Sequence, residues 1–244
     1  MEGITGGREG TVVHARSDAV ERQAARARVM LPRLEESQAR IALGLFRMLA
    51  EGQPVSHDQL AERLTVPEGE VSATLAGLPA VFYNDEGRIV AFWGLSLGES
   101  RHRVEVDGRT VYAWCFPDTL FYPRILGKSA RIESASPTGE RISLVVRPDG
   151  IESVAPESAV LTFVRLEGKQ FDDNVISTFC HYNFYFPSEE EARRWAEEQP
   201  RDFLILTIQE GFELMTRIAR ALYGDALGAG GDPTPRVGLT SETR

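Results

Sequence analysis

The chain has 244 residues, of which 42% are hydrophobic and 26% charged, a balance typical of a globular protein with a packed core. Its 27 basic and 36 acidic residues give a formal charge of −9, which argues against general binding to nucleic-acid phosphates. No run of about 18 apolar residues predicts a membrane span, and the first residues lack the apolar stretch of a signal peptide. We therefore expect a cytoplasmic protein without a membrane partner.

Residues 1–37 form a predicted N-terminal extension. The first part is Gly-rich and polar, which is typical of a flexible segment. Residues 19–36 are rich in Ala, Arg and Glu and predict a helix with a narrow apolar face, interrupted at Pro32.

Residues 38–98 predict a small unit of three helices and a hairpin. Apolar residues recur at helical spacing over 38–52. Ser56 and Gln59 then form a capping-box pattern that opens a second helix, and a third helix follows. A turn at Asp85–Gly87 joins two apolar runs that resemble paired strands. Two helices with a tight turn between them, followed by a hairpin, are the pattern of a winged helix.

Winged helices commonly bind DNA, but the chemistry of this unit argues against that function. Residues 38–80 carry three Arg against five acidic residues, a net charge of −2. The third helix, PEGEVSATLAGL, offers no Arg, Lys, Asn or Gln side chain to read a base edge. We interpret the unit as a structural part that packs against the rest of the chain and shields its site, and we expect no nucleic-acid partner.

Residues 99–223 predict an α+β domain, and 224–244 predict a flexible tail. The strongest hairpin signal of the chain is the turn at Asp107–Gly108. Further strands are predicted at 130–134, 141–147, 159–166, 176–186 and 202–208, with helices at 188–199 and 209–224. The predicted fold class is α+β, with a winged-helix-like three-helix unit before a body of mostly antiparallel β-sheet flanked by helices.

Few residues of the chain form a recognisable chemical motif. The sequence GKS at 127–129 lacks the earlier glycine of a phosphate-binding loop, because position 122 is Tyr. The four histidines show no metal-ligand spacing, and two cysteines cannot form a disulfide scaffold or a four-cysteine zinc site. The remaining question is whether Cys115 and Cys180 fill the core or act together.

Cys115 and Asp118 lie three residues apart across a Pro-containing turn or the start of a helix. This spacing brings a thiol and a carboxylate to the same side, and a thiol at a helix N-terminus ionises more readily. The alternative is a buried cysteine in an aromatic core, with Asp118 as the helix N-cap.

Cys180 lies in the segment STFCHYNFYF, within the strand predicted at 176–186. Strand alternation places it on the same face as Tyr182, Phe184 and Phe186, in an apolar and aromatic environment. A lone thiol would be inert there, whereas a second thiol and a carboxylate nearby would create a chelate for a soft metal ion.

The motif YAWC-x-x-DTL-x-x-P-x-x-x-G, followed later by Phe-Cys-His, resembles the alkylmercury lyases of bacterial mercury resistance. The order of the segments is also similar, including a Thr138–Gly139 turn between the two motifs, over roughly residues 38–222. The resemblance places the family's catalytic cysteines on Cys115 and Cys180 and its catalytic aspartate on Asp118. Further cysteines that many members carry are absent, and His181 occupies one such position.

The resemblance implies protonolysis of a carbon–mercury bond. One thiolate, of Cys115 or of Cys180, would capture the mercury of the substrate, and Asp118 would relay a proton so that the second thiol also binds. Asp118 would then protonate the carbon, and Hg(II) would stay bound by both sulfurs and an Asp118 oxygen. No organic cofactor is implied; low-molecular-weight thiols or a mercuric reductase would remove the Hg(II).

Two other classes of protein remain open from the sequence. A soft-metal binding or sensing protein would hold mercury or copper on the two thiols without turnover, but it would not need Asp118 in the thiol site. A transcription factor with a ligand-binding body would fit the winged-helix pattern, but the acidic helix-turn-helix argues against it.

Overall fold

The computed structural model describes residues 12–14, 17–31, 34–166 and 175–227. Most of the predicted flexible segments at the two ends of the chain lie outside these residues. Val12–His14 nevertheless form a strand and Gly224–Leu227 a 3-10 turn, so these described parts are not irregular as the sequence predicts. No helix in the described part is long and apolar enough to cross a lipid bilayer.

Eight α-helices and twelve β-strands are present in the described residues. The helices are α1 (Ser17–Met30), α2 (Glu36–Leu49), α3 (His57–Leu64), α4 (Glu68–Ala76), α5 (Phe116–Leu126), α6 (Val175–Thr178), α7 (Glu189–Glu197) and α8 (Ile208–Tyr223). The strands are β1 (Val12–His14), β2 (Val81–Tyr83), β3 (Ile89–Phe92), β4 (Leu95–Ser96), β5 (His102–Val106), β6 (Arg109–Ala113), β7 (Ala130–Ala135), β8 (Arg141–Arg147), β9 (Gly150–Ala155), β10 (Val160–Val164), β11 (Tyr185–Phe186) and β12 (Phe203–Thr207).

The strands form two sheets. The larger has the order β2-β3-β4-β6-β5-β7-β8-β9, with every neighbouring pair antiparallel. The smaller has the order β1-β12-β10-β11, in which only β1 and β12 run parallel. The predicted α+β class, with a mostly antiparallel body, is confirmed.

Local sequence signals locate several of these elements correctly. The hairpin β5–β6 turns at Asp107 and Gly108, which both adopt positive φ angles of 50° and 71°. Two-residue turns of this kind match the twist of antiparallel strands, and Asp-Gly is a preferred pair for them. The side chains of Ser56 and Gln59 form the predicted capping box at the start of α3.

The helical unit and the body share one hydrophobic core, as the sequence predicted. Phe46 on α2 is fully buried, and its ring centroid lies 6.3 Å from that of Phe121 and 5.9 Å from that of Tyr122, both on α5. The larger sheet also continues from the wing strands β2 and β3 through β4 into β6. The unit therefore supports α5 directly.

Residues 176–186 do not form the single strand that the sequence predicts. Most of α6 and a 3-10 turn at Cys180–Tyr182 occupy this stretch, and only β11 pairs with a neighbour. The Asn183 side chain replaces ladder hydrogen bonds here: it accepts one from the Val164 N–H and donates one to the Phe179 carbonyl. Side-chain-to-backbone bonds of this kind compete with regular strand pairing, and period-2 apolar spacing does not reveal them.

Strand β9 has no counterpart in the sequence prediction. Its residues are mostly exposed or half-buried and do not alternate between apolar and polar types. Strand β9 pairs with β8 at the edge of the larger sheet. Neither face of this edge strand is well buried, so its sequence lacks the alternation of apolar and polar residues that marks a strand.

Candidate active site

The structure brings Cys115, Asp118 and Cys180 together, although the two cysteines are 65 positions apart in the sequence. One ligand atom from each residue, the two sulfurs and a carboxylate oxygen, lies within 4.8 Å of the other two. Both cysteines are buried and unpaired by any disulfide. The predicted convergence of the three side chains is confirmed.

The start of α5 positions the first two residues. Cys115 is the N-cap, and its backbone N–H donates a hydrogen bond of 3.1 Å to Asp118 Oδ2. The Cys115 thiol donates to the same oxygen at 3.3 Å. Pro117 in the first turn loses no helical hydrogen bond, because the first N–H groups of a helix have no partner within it.

A second contact fixes α5 against the smaller sheet. The Thr119 hydroxyl donates to the Phe116 carbonyl at 2.7 Å. The Tyr185 hydroxyl, also 2.7 Å from Thr119 Oγ1, is therefore the donor in that pair. Both side chains are fully buried, so this hydrogen bond joins the first turn of α5 to strand β11.

Cys180 begins a 3-10 turn that is tied to strand β10. The fully buried Asn183 bonds to the backbone of Val164 and of Phe179, at 2.9 and 2.8 Å. Thr162 adds a bond of 3.2 Å from its hydroxyl to the Tyr182 carbonyl. These contacts, and not strand pairing, determine where the second thiol lies.

The turn between β3 and β4 covers the Asp118 carboxyl. Gly94 adopts a φ of +100°, and a Cβ atom built at this position would lie 2.3 Å from Asp118 Oδ1. The Trp114 N–H donates to the Gly94 carbonyl at 2.9 Å, which ties this turn to the residue preceding Cys115.

A cavity of about 640 Å³ lies beside the three side chains and is lined by all of them. Most of its wall is apolar and aromatic, including Trp93, Trp114, Phe121, Phe163, Phe179 and Met215. Asp118 is half-buried, and the exposed part of its side chain faces this cavity. The site can therefore receive an apolar group next to two sulfurs and one carboxyl.

Burial dominates the acidity of the site. It raises the pKa of Asp118 to about 7, against hydrogen bonds from Cys115 and Trp114 that lower it. Burial also raises the pKa of the Cys115 thiol well above its ordinary value, and Cys180 and Asp118 raise it further. The expectation of an easily ionised Cys115 is wrong, because the cost of desolvating a thiolate exceeds the benefit of the helix N-terminus.

Comparison with known proteins assigns the family. The sequence model described as alkylmercury lyase matches residues 95–220, and the model for the helix-turn-helix domain of alkylmercury lyase matches residues 28–93. The alkylmercury lyase of Staphylococcus epidermidis is 38% identical over 70% of this chain and 77% of its own length. The chain belongs to the alkylmercury lyase family. The alkylmercury lyases of Streptomyces lividans and Pseudomonas putida are 32% and 34% identical, over 81% and 88% of their lengths.

A solved structure supports the fold of this alkylmercury lyase family member. The mercury-bound form of MerB2 superposes with a TM-score of 0.67 at 24% sequence identity. The match covers 82% of this chain and 98% of that one. At 24% identity the match shows that the two chains share a fold.

Two residues of the site carry no motif in the sequence and were not predicted. Gly94 is one glycine among 22, and only its approach to Asp118 distinguishes it. Asn183 lies inside a segment whose spacing predicts a strand. A positive φ at Gly94 and a buried amide at Asn183 depend on residues far away in the sequence, so spacing alone could not identify either.

Proposed function

We propose that this alkylmercury lyase family member cleaves the carbon–mercury bond of alkyl- and arylmercury compounds by protonolysis, with Cys115, Asp118 and Cys180 as its catalytic residues. The supporting observation is the arrangement of two thiols and one carboxyl, with ligand atoms within 4.8 Å of one another, beside an apolar cavity. Thiols are preferred ligands of soft metal ions, and a carboxyl group with a pKa of about 7 can donate a proton near neutrality.

The first step is capture of the substrate. An organomercury–thiol adduct enters with its organic group in the apolar cavity. One enzyme thiol, of Cys115 or of Cys180, forms a sulfur–mercury bond, and its proton leaves with the displaced external thiol. Because burial raises the pKa of the Cys115 thiol, this exchange avoids a free buried thiolate.

The second step brings the other sulfur to the metal. When Cys180 captures the mercury first, the bond from Cys115 Sγ to Asp118 Oδ2, 3.3 Å long, is a direct path by which the carboxylate accepts the remaining thiol proton. When Cys115 captures it first, the Cys180 thiol gives its proton to the same carboxylate, since the ligand atoms of the three residues lie within 4.8 Å of one another. Asp118 becomes a carboxylic acid as the second sulfur–mercury bond forms. Two sulfur ligands increase the electron density on mercury and on the attached carbon.

The third step breaks the carbon–mercury bond. Asp118 gives its proton to the carbon, the bonding electron pair goes to carbon, and the hydrocarbon leaves. Hg(II) remains on Cys115 and Cys180, with an Asp118 oxygen in reach, and the carboxylate is regenerated. Of the two thiol protons, one leaves with the external thiol and one with the hydrocarbon, so the reaction balances.

The proposal needs no organic cofactor, because the chain supplies both sulfur ligands and the proton. Low-molecular-weight thiols or a mercuric reductase would remove Hg(II) from the two sulfurs. Both cysteines must stay reduced, which suits a cytoplasmic location. The acidic helix-turn-helix unit packs into the shared core, and we propose a supporting function for it without a nucleic-acid partner.

A non-catalytic soft-metal binding or sensing protein would also use two close thiols. Such a protein would need metal-binding side chains but no proton donor. Asp118 has a pKa raised toward neutrality and accepts a hydrogen bond from a ligand thiol, and a binding protein has no use for such a proton carrier. These features favour the lyase.

The test is hydrocarbon release by the purified full-length chain with excess thiol. Phenylmercury should yield benzene and methylmercury should yield methane, each with one equivalent of Hg(II). The control is the same protein with both thiols alkylated. Stoichiometric mercury binding without benzene or methane would contradict the proposal and support the binding protein instead.

A further inference from the structure

The turn at Trp93 and Gly94 joins β3 to β4 through two residues with positive φ angles, 41° and 100°. Phe92 pairs with Leu95 on either side, so this is a two-residue hairpin. Such turns favour Asn, Asp or Gly at both central positions. A bulky tryptophan in the left-handed region is uncommon, and departures of this kind concentrate at functional sites.

The position of Gly94 gives this turn its importance. The Asp118 carboxyl lies where a side chain at position 94 would begin: a Cβ there would be 2.3 Å from Asp118 Cγ and Oδ1 and 2.6 Å from Oδ2. Non-bonded contacts shorter than 3.0 Å between a Cβ atom and a heavy atom of another residue essentially do not occur. Any residue other than glycine would therefore displace the carboxyl.

Displacement of the Asp118 carboxyl would move the oxygen that is hydrogen-bonded to Cys115. Asp118 Oδ2 accepts hydrogen bonds from the N–H and the thiol of that residue. The Gly94 carbonyl in turn accepts from the Trp114 N–H, so the turn and the helix N-terminus are joined directly. The carboxyl is thus enclosed between the start of α5 and the β3–β4 turn.

We propose that Gly94 is a positioning residue for Asp118: the missing side chain lets the turn backbone lie against the carboxyl, which holds it in its bonds to Cys115 and shields from water the face that the turn covers. This inference rests on the proposed lyase function of the site. Gly94 also lines the cavity, but the effect proposed for it is transmitted through Asp118.

The test compares Gly94→Ala with Gly139→Ala. Gly139 has a similar φ of +92° but open space where its Cβ would lie, so it reports backbone strain alone. The first measurement is the infrared titration of the Asp118 carboxyl, taken as the difference from Asp118→Asn. In Gly94→Ala the pKa of Asp118 should fall by at least about one unit toward its ordinary value. Gly139→Ala should titrate as the wild type does.

The second measurement is single-turnover benzene release from phenylmercury as a function of pH. In the proposed mechanism Asp118 takes its proton from a thiol, and each unit by which the pKa of Asp118 falls makes that transfer about tenfold less favourable. Gly94→Ala should therefore release benzene at least about tenfold more slowly near pH 8, while it still binds Hg(II) on two thiols. A wild-type titration and a wild-type pH profile in Gly94→Ala would overturn the inference.

Two further outcomes are decisive. If Gly94→Ala does not fold, the double variant Gly94→Ala/Asp118→Ala should fold with a urea midpoint near that of Asp118→Ala, after allowance for the strain seen in Gly139→Ala. Failure of the double variant to fold would overturn the inference, since Gly94 would then serve the fold alone.

Absence of benzene release by the wild type contradicts the lyase function and leaves the infrared titration to decide the positioning of Asp118.

Discussion

The backbone N–H and the thiol of Cys115 both donate to a single oxygen of Asp118, Oδ2, at 3.1 and 3.3 Å. The first of these bonds belongs to the capping box of α5 and does not depend on the protonation of the thiol. The carboxyl is therefore already oriented when a thiol proton reaches it, and the proposed proton relay requires little reorganisation.

Cys115→Ser and Cys180→Ser should each abolish benzene release from phenylmercury. A serine oxygen is a poor ligand for a soft metal, and one sulfur leaves the carbon–mercury bond insufficiently activated. Each variant keeps one thiol, which a thiol titration verifies, since the chain has two cysteines. Release at the wild-type rate by either variant would remove that cysteine from the mechanism.

Asp118→Ala should capture phenylmercury on the two thiols yet release benzene roughly 10² to 10⁴ times more slowly, the usual contribution of a general acid. Asp118→Asn is the matched control: an amide preserves the shape of the side chain but does not carry the proton. Both variants should bind one mercury per chain. Wild-type turnover by Asp118→Asn would refute the assignment of Asp118 as the acid.

The stability of the protein should depend on the ionisation of Asp118. Its pKa is about 7 in the folded chain, above the ordinary value of 3.8. Between these values the folded state retains a proton that the unfolded chain has released, so the free energy of unfolding decreases as the pH rises from about 4 to about 7. Urea titrations of the wild type and of Asp118→Asn at about pH 4 and pH 8 measure this. An equal pH dependence in the two proteins would show that Asp118 titrates normally.

Asn183→Ala should destabilise the fold by about 2 kcal/mol, because the buried Val164 N–H loses its acceptor, while the Phe179 carbonyl loses one donor and keeps the Tyr182 N–H. Without these bonds the turn that carries Cys180 is no longer held against β10, which should also slow benzene formation. Asn84→Ala is the control: Asn84 likewise makes two bonds to backbone groups, the N–H groups of Glu86 and Arg88, but in an exposed turn. Water can replace those bonds, so its cost should stay below about 1 kcal/mol.

Tyr122→Phe should leave the stability unchanged or raise it slightly. The Tyr122 hydroxyl is buried, and no described residue forms a hydrogen bond with it. Tyr185→Phe, in contrast, removes a hydroxyl bonded to Thr119 and should cost about 1 kcal/mol. Urea midpoints of the two variants test the difference. A larger loss in Tyr122→Phe would reveal a partner for that hydroxyl.

Local sequence determined a large part of this protein. The Asp107–Gly108 turn and the Ser56–Gln59 capping box depend on residues close together in the chain. The spacing of Cys115 and Asp118 likewise placed a thiol and a carboxyl at one helix N-terminus. Such features follow from backbone geometry over a few residues, and the sequence displays them directly.

The acidity and enclosure of the site were decided by the tertiary structure. The turn that carries Cys180 replaces a predicted strand because Asn183 bonds to β10, and Gly94 meets Asp118 only through the fold. Burial by distant segments raises the pKa of the Cys115 thiol, although its place at a helix N-terminus predicted the opposite. Exclusion of water is a property of packing between segments far apart in sequence, and no local spacing encodes it.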